Sequence, residues 1–145
     1  MFESFDESIG FMTAQTHRTM FRAFTAYLKT YGITPEQWTV IKRLHSHGDL
    51  PQKELAAVSE KDKATLTRIV DLLERKTIIV KRNNPEDKRS HYVSLTERGS
   101  TLYERILPGT EAFYQDIVAD ISESDLQTYV QTLKKIRQKS RQYLE

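Results

Sequence analysis

Between residues 62 and 96 the spacing of apolar residues changes period, and this change limits the fold more than any other feature. Leu66, Ile69, Val70 and Leu73 fall at i, i+3, i+4 and i+7, which is one face of a helix. Ala64, Thr67, Arg68, Asp71 and Arg75 project the opposite way. Ile78-Ile79-Val80-Lys81-Arg82 follows, β-branched and then basic, and Asn83-Asn84-Pro85-Glu86-Asp87 is turn chemistry. From Ser90 to Leu95 the pattern alternates, with His91, Val93 and Leu95 on one side and Tyr92 and Ser94 on the other. A helix with a cationic outer face therefore runs directly into a β-hairpin.

The residues before it complete a helix-turn-helix. Pro51 opens a short helix carrying Leu55, Ala56 and Val58, and Ser59-Glu60-Lys61 makes a polar turn. Asp62 caps the next helix, which runs to about Lys76. A hairpin directly after two such helices is a wing. Upstream, Thr34-Pro35-Glu36-Gln37 is a capping box with proline in the first turn, and Trp38, Ile41 and Leu44 give that helix a buried side up to Gly48. Residues 5–31 form a first helix with Met20, Phe21, Phe24, Tyr27, Leu28 and Tyr31 as an apolar stripe, read as core or subunit interface; Gly32 stops it. Thr96 caps a further helix with Leu102, Ile106, Phe113, Ile117 and Ile121, which Pro108-Gly109 is expected to kink or interrupt. Ser122 and Asp125 start a last helix carrying Leu126, Val130, Leu133, Ile136 and Tyr143. The expected fold class is mainly α, an α+β winged helix.

A chain of 145 residues, 38% hydrophobic and 29% charged, suits one domain with its own core. No apolar run approaches the ~20 residues of a membrane span, and no signal peptide is visible, so a cytoplasmic protein is expected. Cysteine is absent, which excludes thiolate metal sites, cysteine nucleophiles and thiol redox switches. Charge is uneven along the chain. Residues 61–91 hold nine Lys/Arg against five Asp/Glu, whereas residues 97–130 hold two against seven. A polyanion-facing segment followed by one that avoids polyanions would carry such a pattern, as would ordinary solvated faces.

The order of these elements resembles the MarR family of bacterial winged helix-turn-helix transcription regulators. Asp87-x-Arg89 followed by Leu95-Thr96 is the most specific part. Thr34-Pro35-Glu36-Gln37, Gln52-Lys53-Glu54-Leu55-Ala56 and Leu66-Thr67-Arg68-Ile69-Val70-Asp71-x-Leu73-Glu74 support it in the same order. One position departs: the family usually has glycine where this chain has Thr77, and a β-branched residue is a poor left-handed cap. The resemblance implies a homodimer, with residues 1–33 and 97–145 as dimerisation helices and 34–96 as the winged helix-turn-helix lobe. It implies no cofactor, and a pseudo-palindromic operator on double-stranded DNA with half-sites about one turn apart, ~10 bp.

On this reading the helix after Asp62 enters the major groove. Lys61, Lys63, Ala64, Thr65, Thr67, Arg68 and Arg75 are candidate contacts, with Arg68 placed for a bidentate guanine contact or for phosphate. The resemblance sends Arg89 into a minor groove, where narrow A·T-rich sequence attracts a guanidinium. Arg82 and Lys88 meet phosphates, and Asp87 orients Arg89 through hydrogen bonds to it or to the turn backbone. Asp71 is expected to pair with Arg68 or Arg75. A small aromatic effector in a cleft near His17, Met20, Arg22, Phe24, Trp38 and His45 is a further family expectation; these residues also read as core.

Three rivals remain, and one of them, a pure protein-interaction module, is disfavoured by the basic hairpin, since an interface core is usually depleted in charge. An enzyme is disfavoured, since the chain has no phosphate loop, no Gly-x-Ser-x-Gly and no His-Glu-x-x-His, and Ser90 and His91 face opposite sides of a strand. A zinc-responsive regulator of the same fold is the alternative. His45 and His47 sit roughly 200° apart around a helix and do not converge, so His17 and an acid such as Glu36 or Glu54 would have to join His45.

Overall fold

The computed structural model describes residues 2–145. A π-helical stretch, Asp6–Phe11, leads into α1 (Met12–Leu28), and a 3-10 turn, Lys29–Tyr31, follows it. Gly32 closes this helix at φ 71° and donates to the Lys29 carbonyl. Next come α2 (Pro35–His47), β1 (Leu50–Pro51), α3 (Gln52–Val58), α4 (Lys63–Arg75), β2 (Ile79–Asn84), β3 (Asp87–Leu95), α5 (Glu97–Ile117) and α6 (Glu123–Arg141). The chain divides into two compact units, one ending at Ile106 and the other spanning Leu107–Glu145.

Local chemistry accounts for the element starts. Thr34 Oγ1 accepts from the Gln37 N–H at 3.1 Å while Gln37 Oε1 accepts from the Thr34 N–H at 3.2 Å, so the expected capping box is complete. Ser122 Oγ accepts from the Asp125 N–H at 3.1 Å and starts α6. In the first unit the stripes from α2, α3, α4 and the hairpin meet in one core: Trp38, Ile41, Leu55, Leu66, Leu73, Ile79 and Val93 are all buried. A fully buried leucine or isoleucine contributes about 1.5–3 kcal/mol relative to exposure, so this core dominates the stability of the lobe.

The sheet has one strand more than the sequence suggested. β1 pairs antiparallel with β3 through Leu50 and Val93 and through Pro51 and Tyr92, giving the order β1-β3-β2. Pro51 is both the end of this edge strand and the residue that precedes α3, two positions where a missing N–H costs little. The expected interruption of α5 at Pro108-Gly109 does not occur, and the helix runs from Glu97 to Ile117 with Pro108 inside it. One absent N–H is a small fraction of the bonds a 21-residue helix makes. In the second unit α6 buries none of its residues, and Val130, Leu133 and Ile136 form an exposed apolar stripe.

The junction of α4 with β2 is shaped as a glycine would shape it. Thr77 takes φ 59°. Its N–H reaches the Glu74 carbonyl at 2.9 Å, and the Ile78 N–H reaches the Leu73 carbonyl at 3.0 Å, which is the double bond of a Schellman cap. The left-handed conformation costs a residue with a Cβ about 1–2 kcal/mol. Thr77→Gly is therefore expected to stabilise the protein, by about 0.5–1 kcal/mol after the greater chain entropy of glycine is counted. Urea unfolding of the two proteins measures this, and a less stable glycine variant would show that the turn holds no strain.

Candidate nucleic-acid interface

The start of α4 is fixed by one carboxylate. Asp62 Oδ1 accepts from the Thr65 N–H at 2.8 Å and Asp62 Oδ2 from the Thr65 hydroxyl at 2.8 Å. The bond from the Thr65 backbone, followed by that from its hydroxyl, holds the Asp62 carboxyl below its ordinary value. One turn on, Thr67 donates its hydroxyl to the Lys63 carbonyl at 2.8 Å and accepts from Gln52 Nε2 at 3.0 Å. Gln52 thereby ties α3 to α4. Both threonine hydroxyl protons are thus engaged within the protein, which leaves Lys63, Ala64, Arg68 and Arg75 as the exposed side chains of the helix. Arg68 borders a cleft of about 290 Å³ together with Phe21, Glu36 and Leu72.

The wing orders its own arginine. Asp87 Oδ1 accepts the Arg89 N–H at 2.9 Å, so the backbone alternative expected for Asp87 is the one found. Asn84 does the same for the Glu86 N–H at 3.0 Å, and the ladder shifts register between Asn83 and Asn84. Arg82, Lys88 and Arg89 are all exposed, while Lys61 is half-buried in the turn before α4. A groove of about 550 Å³ brings Lys53, Lys63, Asp87 and Arg89 together between α3, α4 and the wing. Lys53 was not among the residues expected here. Its outward position on α3 could have been read from the buried Leu55 two residues on, which faces the other way.

Asp71 does not pair with Arg68 or Arg75. It holds Lys81 of β2 at 2.9 Å, and Glu74 approaches the same ammonium at 3.5 Å. The Asp71 hydrogen bond raises the Lys81 pKa above its ordinary value, against partial desolvation. Neighbours on one helix lose to a partner from the strand because Lys81 is already fixed beside α4 by the fold. The side chains remain 27%, 42% and 41% exposed, so solvent screening leaves these pairs worth under about 1 kcal/mol of stability.

The wing root closes on Thr96. Its hydroxyl lies 2.6 Å from the Thr77 carbonyl and 3.1 Å from the Ile78 carbonyl, and it accepts from the Gly99 N–H at 3.0 Å. Gly99 passes so close that a Cβ there would sit 2.1 Å from the Ile78 oxygen.

The six residues expected at an effector cleft are scattered. Phe24 and Trp38 are core, Met20 is half-buried, and Arg22 and His17 are exposed, with the His17 ring 5.9 Å from that of Phe21. Trp38 and His45 instead sandwich Tyr103 of α5, with ring centroids 5.4 and 3.7 Å away. None of the six lines the wider cleft of about 810 Å³ bordered by Tyr31, Ile33, Lys76, Ile78, Arg98 and Arg105. Among the described residues no group of three or more His, Asp or Glu side chains could hold a metal ion, which leaves the zinc alternative without a ligand set. No described helix is long and apolar enough to cross a membrane.

Known proteins share this arrangement. The model of the MarR family matches residues 33–91. The HTH-type transcriptional regulator FarR of Neisseria gonorrhoeae is 31% identical over 68% of this chain and 68% of its own. The HTH-type transcriptional repressor MdtR of Bacillus subtilis is 30% identical over 68% of this chain and 64% of its own. A crystal structure of a mutant MarR from E. coli complexed with operator DNA superposes with a TM-score of 0.83 at 26% identity, covering 93% of this chain and 99% of that one.

The Asp62 cap gives a prediction with a sign. A carboxyl held low in the folded state stabilises above its unfolded value of about 3.9, and this stabilisation fades as pH falls through the lower folded value. Asp62→Ala is expected to lower the unfolding midpoint in urea at neutral pH, with a smaller deficit in acid. A deficit that does not shrink in acid would mean that the charge of Asp62 plays no part in the cap.

Proposed function

This chain belongs to the MarR family, and from that premise we propose that it is a transcription regulator that binds a pseudo-palindromic operator on double-stranded DNA as a homodimer and represses transcription. The observation that carries the reading is the groove lined by both Lys63 of α4 and Arg89 of the wing, with Asp87 bonded to the Arg89 backbone.

The chemistry follows from the placement. α4 offers Lys63, Ala64, Arg68 and Arg75 to the major groove from a helix whose first turn is fixed by Asp62. Its threonines serve the fold through Asp62, Lys63 and Gln52, so base reading falls mainly to Arg68 and Lys63. Arg82 and Lys88 neutralise phosphates and release counterions, which makes affinity fall steeply with salt. Arg89 enters the adjacent minor groove, while the ordered Asp87 turn limits the entropy lost when it does so.

Two copies are needed for a two-fold operator, and the exposed apolar stripe of α6 supports a self-interface. Repression is favoured because MdtR bears the name of a repressor. A regulator of this kind acts in the cytoplasm and needs no catalytic group, in keeping with relatives that are transcriptional regulators. The reading does not extend to an effector, since the six expected cleft residues share none of the clefts described above.

DNA selected from a random pool by the purified protein provides the ligand for a test. Arg89→Ala is expected to weaken binding to the selected site by roughly tenfold or more and to flatten the salt dependence by about one counterion. Its oligomeric mass and thermal unfolding should match the wild type. Unchanged affinity in low-salt titrations would remove Arg89 from the interface.

A further inference from the structure

Lys81 is a cation on a basic lobe whose ammonium is already engaged by two carboxylates. Period two along β2 puts it on the same face as Ile79, which is buried. Its stem therefore runs along the inner side of the wing, and its ammonium emerges against α4. There Asp71 and Glu74, one turn apart on the helix, receive it at 2.9 and 3.5 Å. The pairs are too exposed to matter much for stability. They are well placed to matter for geometry.

The wing leaves α4 through Thr77 and is pinned at its root by Thr96. The root and the pairing of β3 with β1 at Val93 and Tyr92 anchor the lower hairpin, and what fixes β2 against α4 is then the contact between these two elements. Lys81 sits beyond that root, partway to the tip that carries Arg89. A tie from β2 to α4 at this distance limits the angle between the wing and the helix.

We propose that Lys81 is a positioning residue: bridged to Asp71 and Glu74, it sets the angle between the wing and α4 and so the spacing between the two elements that engage DNA. This rests on the DNA-binding reading above. It also makes two carboxylates on a polyanion-facing helix contribute favourably to DNA affinity. Plain electrostatics gives the opposite sign, because removing two negative charges and releasing Lys81 should strengthen binding to a polyanion.

The test uses Asp71→Asn with Glu74→Gln. At fixed salt the double variant is expected to bind the selected DNA roughly three- to tenfold more weakly than wild type, with thermal unfolding little changed. Lys81→Arg, which can span the same pair, retains affinity; Lys81→Met loses it. Wing angle is read without DNA. The chain has no cysteine, so Ala64→Cys and Glu86→Cys accept spin labels at the far end of α4 and at the wing tip. The distance distribution between them is expected to be narrow with the carboxylates present and broader in the double variant. A double variant that binds DNA as well as wild type, or better, overturns the proposal, and so does an unchanged distance distribution. If wild-type protein is retained on no DNA at all, the functional reading fails by itself, and the distance distribution still decides whether Lys81 sets the angle.

Discussion

The wing hangs from two carbonyl oxygens, those of Thr77 and Ile78. The Thr96 hydroxyl meets both, the Thr96 N–H returns to Ile78 at 3.0 Å, and Gly99 lies against the same oxygen. The residues just before and just after the hairpin are thereby fixed at one point, and α5 starts there. A side chain at position 99 would have to push that point apart. The same bonds explain why Thr77 can keep a left-handed backbone. Its N–H, its carbonyl and the N–H of Ile78 are all engaged, so the conformation is over-determined by its surroundings and its strain is carried by them.

Features written in adjacent residues were legible in the sequence. The stripe of α4, the capping box at Thr34, the caps at Asp62, Thr96 and Ser122, and the stop at Gly32 each depend on residues within four positions of one another. Features that depend on a distant partner were not. β1 is two residues long and exists only because β3 lies beside it, and no periodicity can be seen in two residues. Pro108 was expected to kink or interrupt α5, and the helix is not interrupted there, because the bonds of its other residues carry it through. Thr77 was read by propensity, which the closing bonds of the root override.

The candidate site divides the same way. Asp87 and Arg89 are two apart, so their bond could be foreseen from turn chemistry. Lys81 is ten residues from Asp71, and only the return of β2 along α4 brings them together, so the sequence offered nearer arginines instead. Thr65 and Thr67 lie in the first two turns of α4, where one completes the cap with Asp62 and the other receives Gln52 from α3. Of the residues that suggested a cleft, Phe24 and Trp38 are buried in the core, and composition cannot tell a cavity lining from a core. Tyr103, the residue that fills the space between Trp38 and His45, lies more than fifty residues further along the chain.

The acids of the basic segment show how such a surface can be built. Residues 61–91 carry five carboxylates, each a repulsive charge for a polyanion. Four of them are tied to a geometric task. Asp62 fixes the first turn of α4, Asp71 and Glu74 hold the strand that leaves it, and Asp87 holds the backbone of Arg89. A lobe with only cations would attract DNA more strongly from a distance but would lose the bonds that fix its helix start, tie Lys81 to α4 and hold the Arg89 backbone. Long-range attraction carries no sequence information, whereas register and spacing do. Repulsion from a few fixed acids is therefore a small loss in a field that remains positive, set against the ordering of each element that must meet a groove.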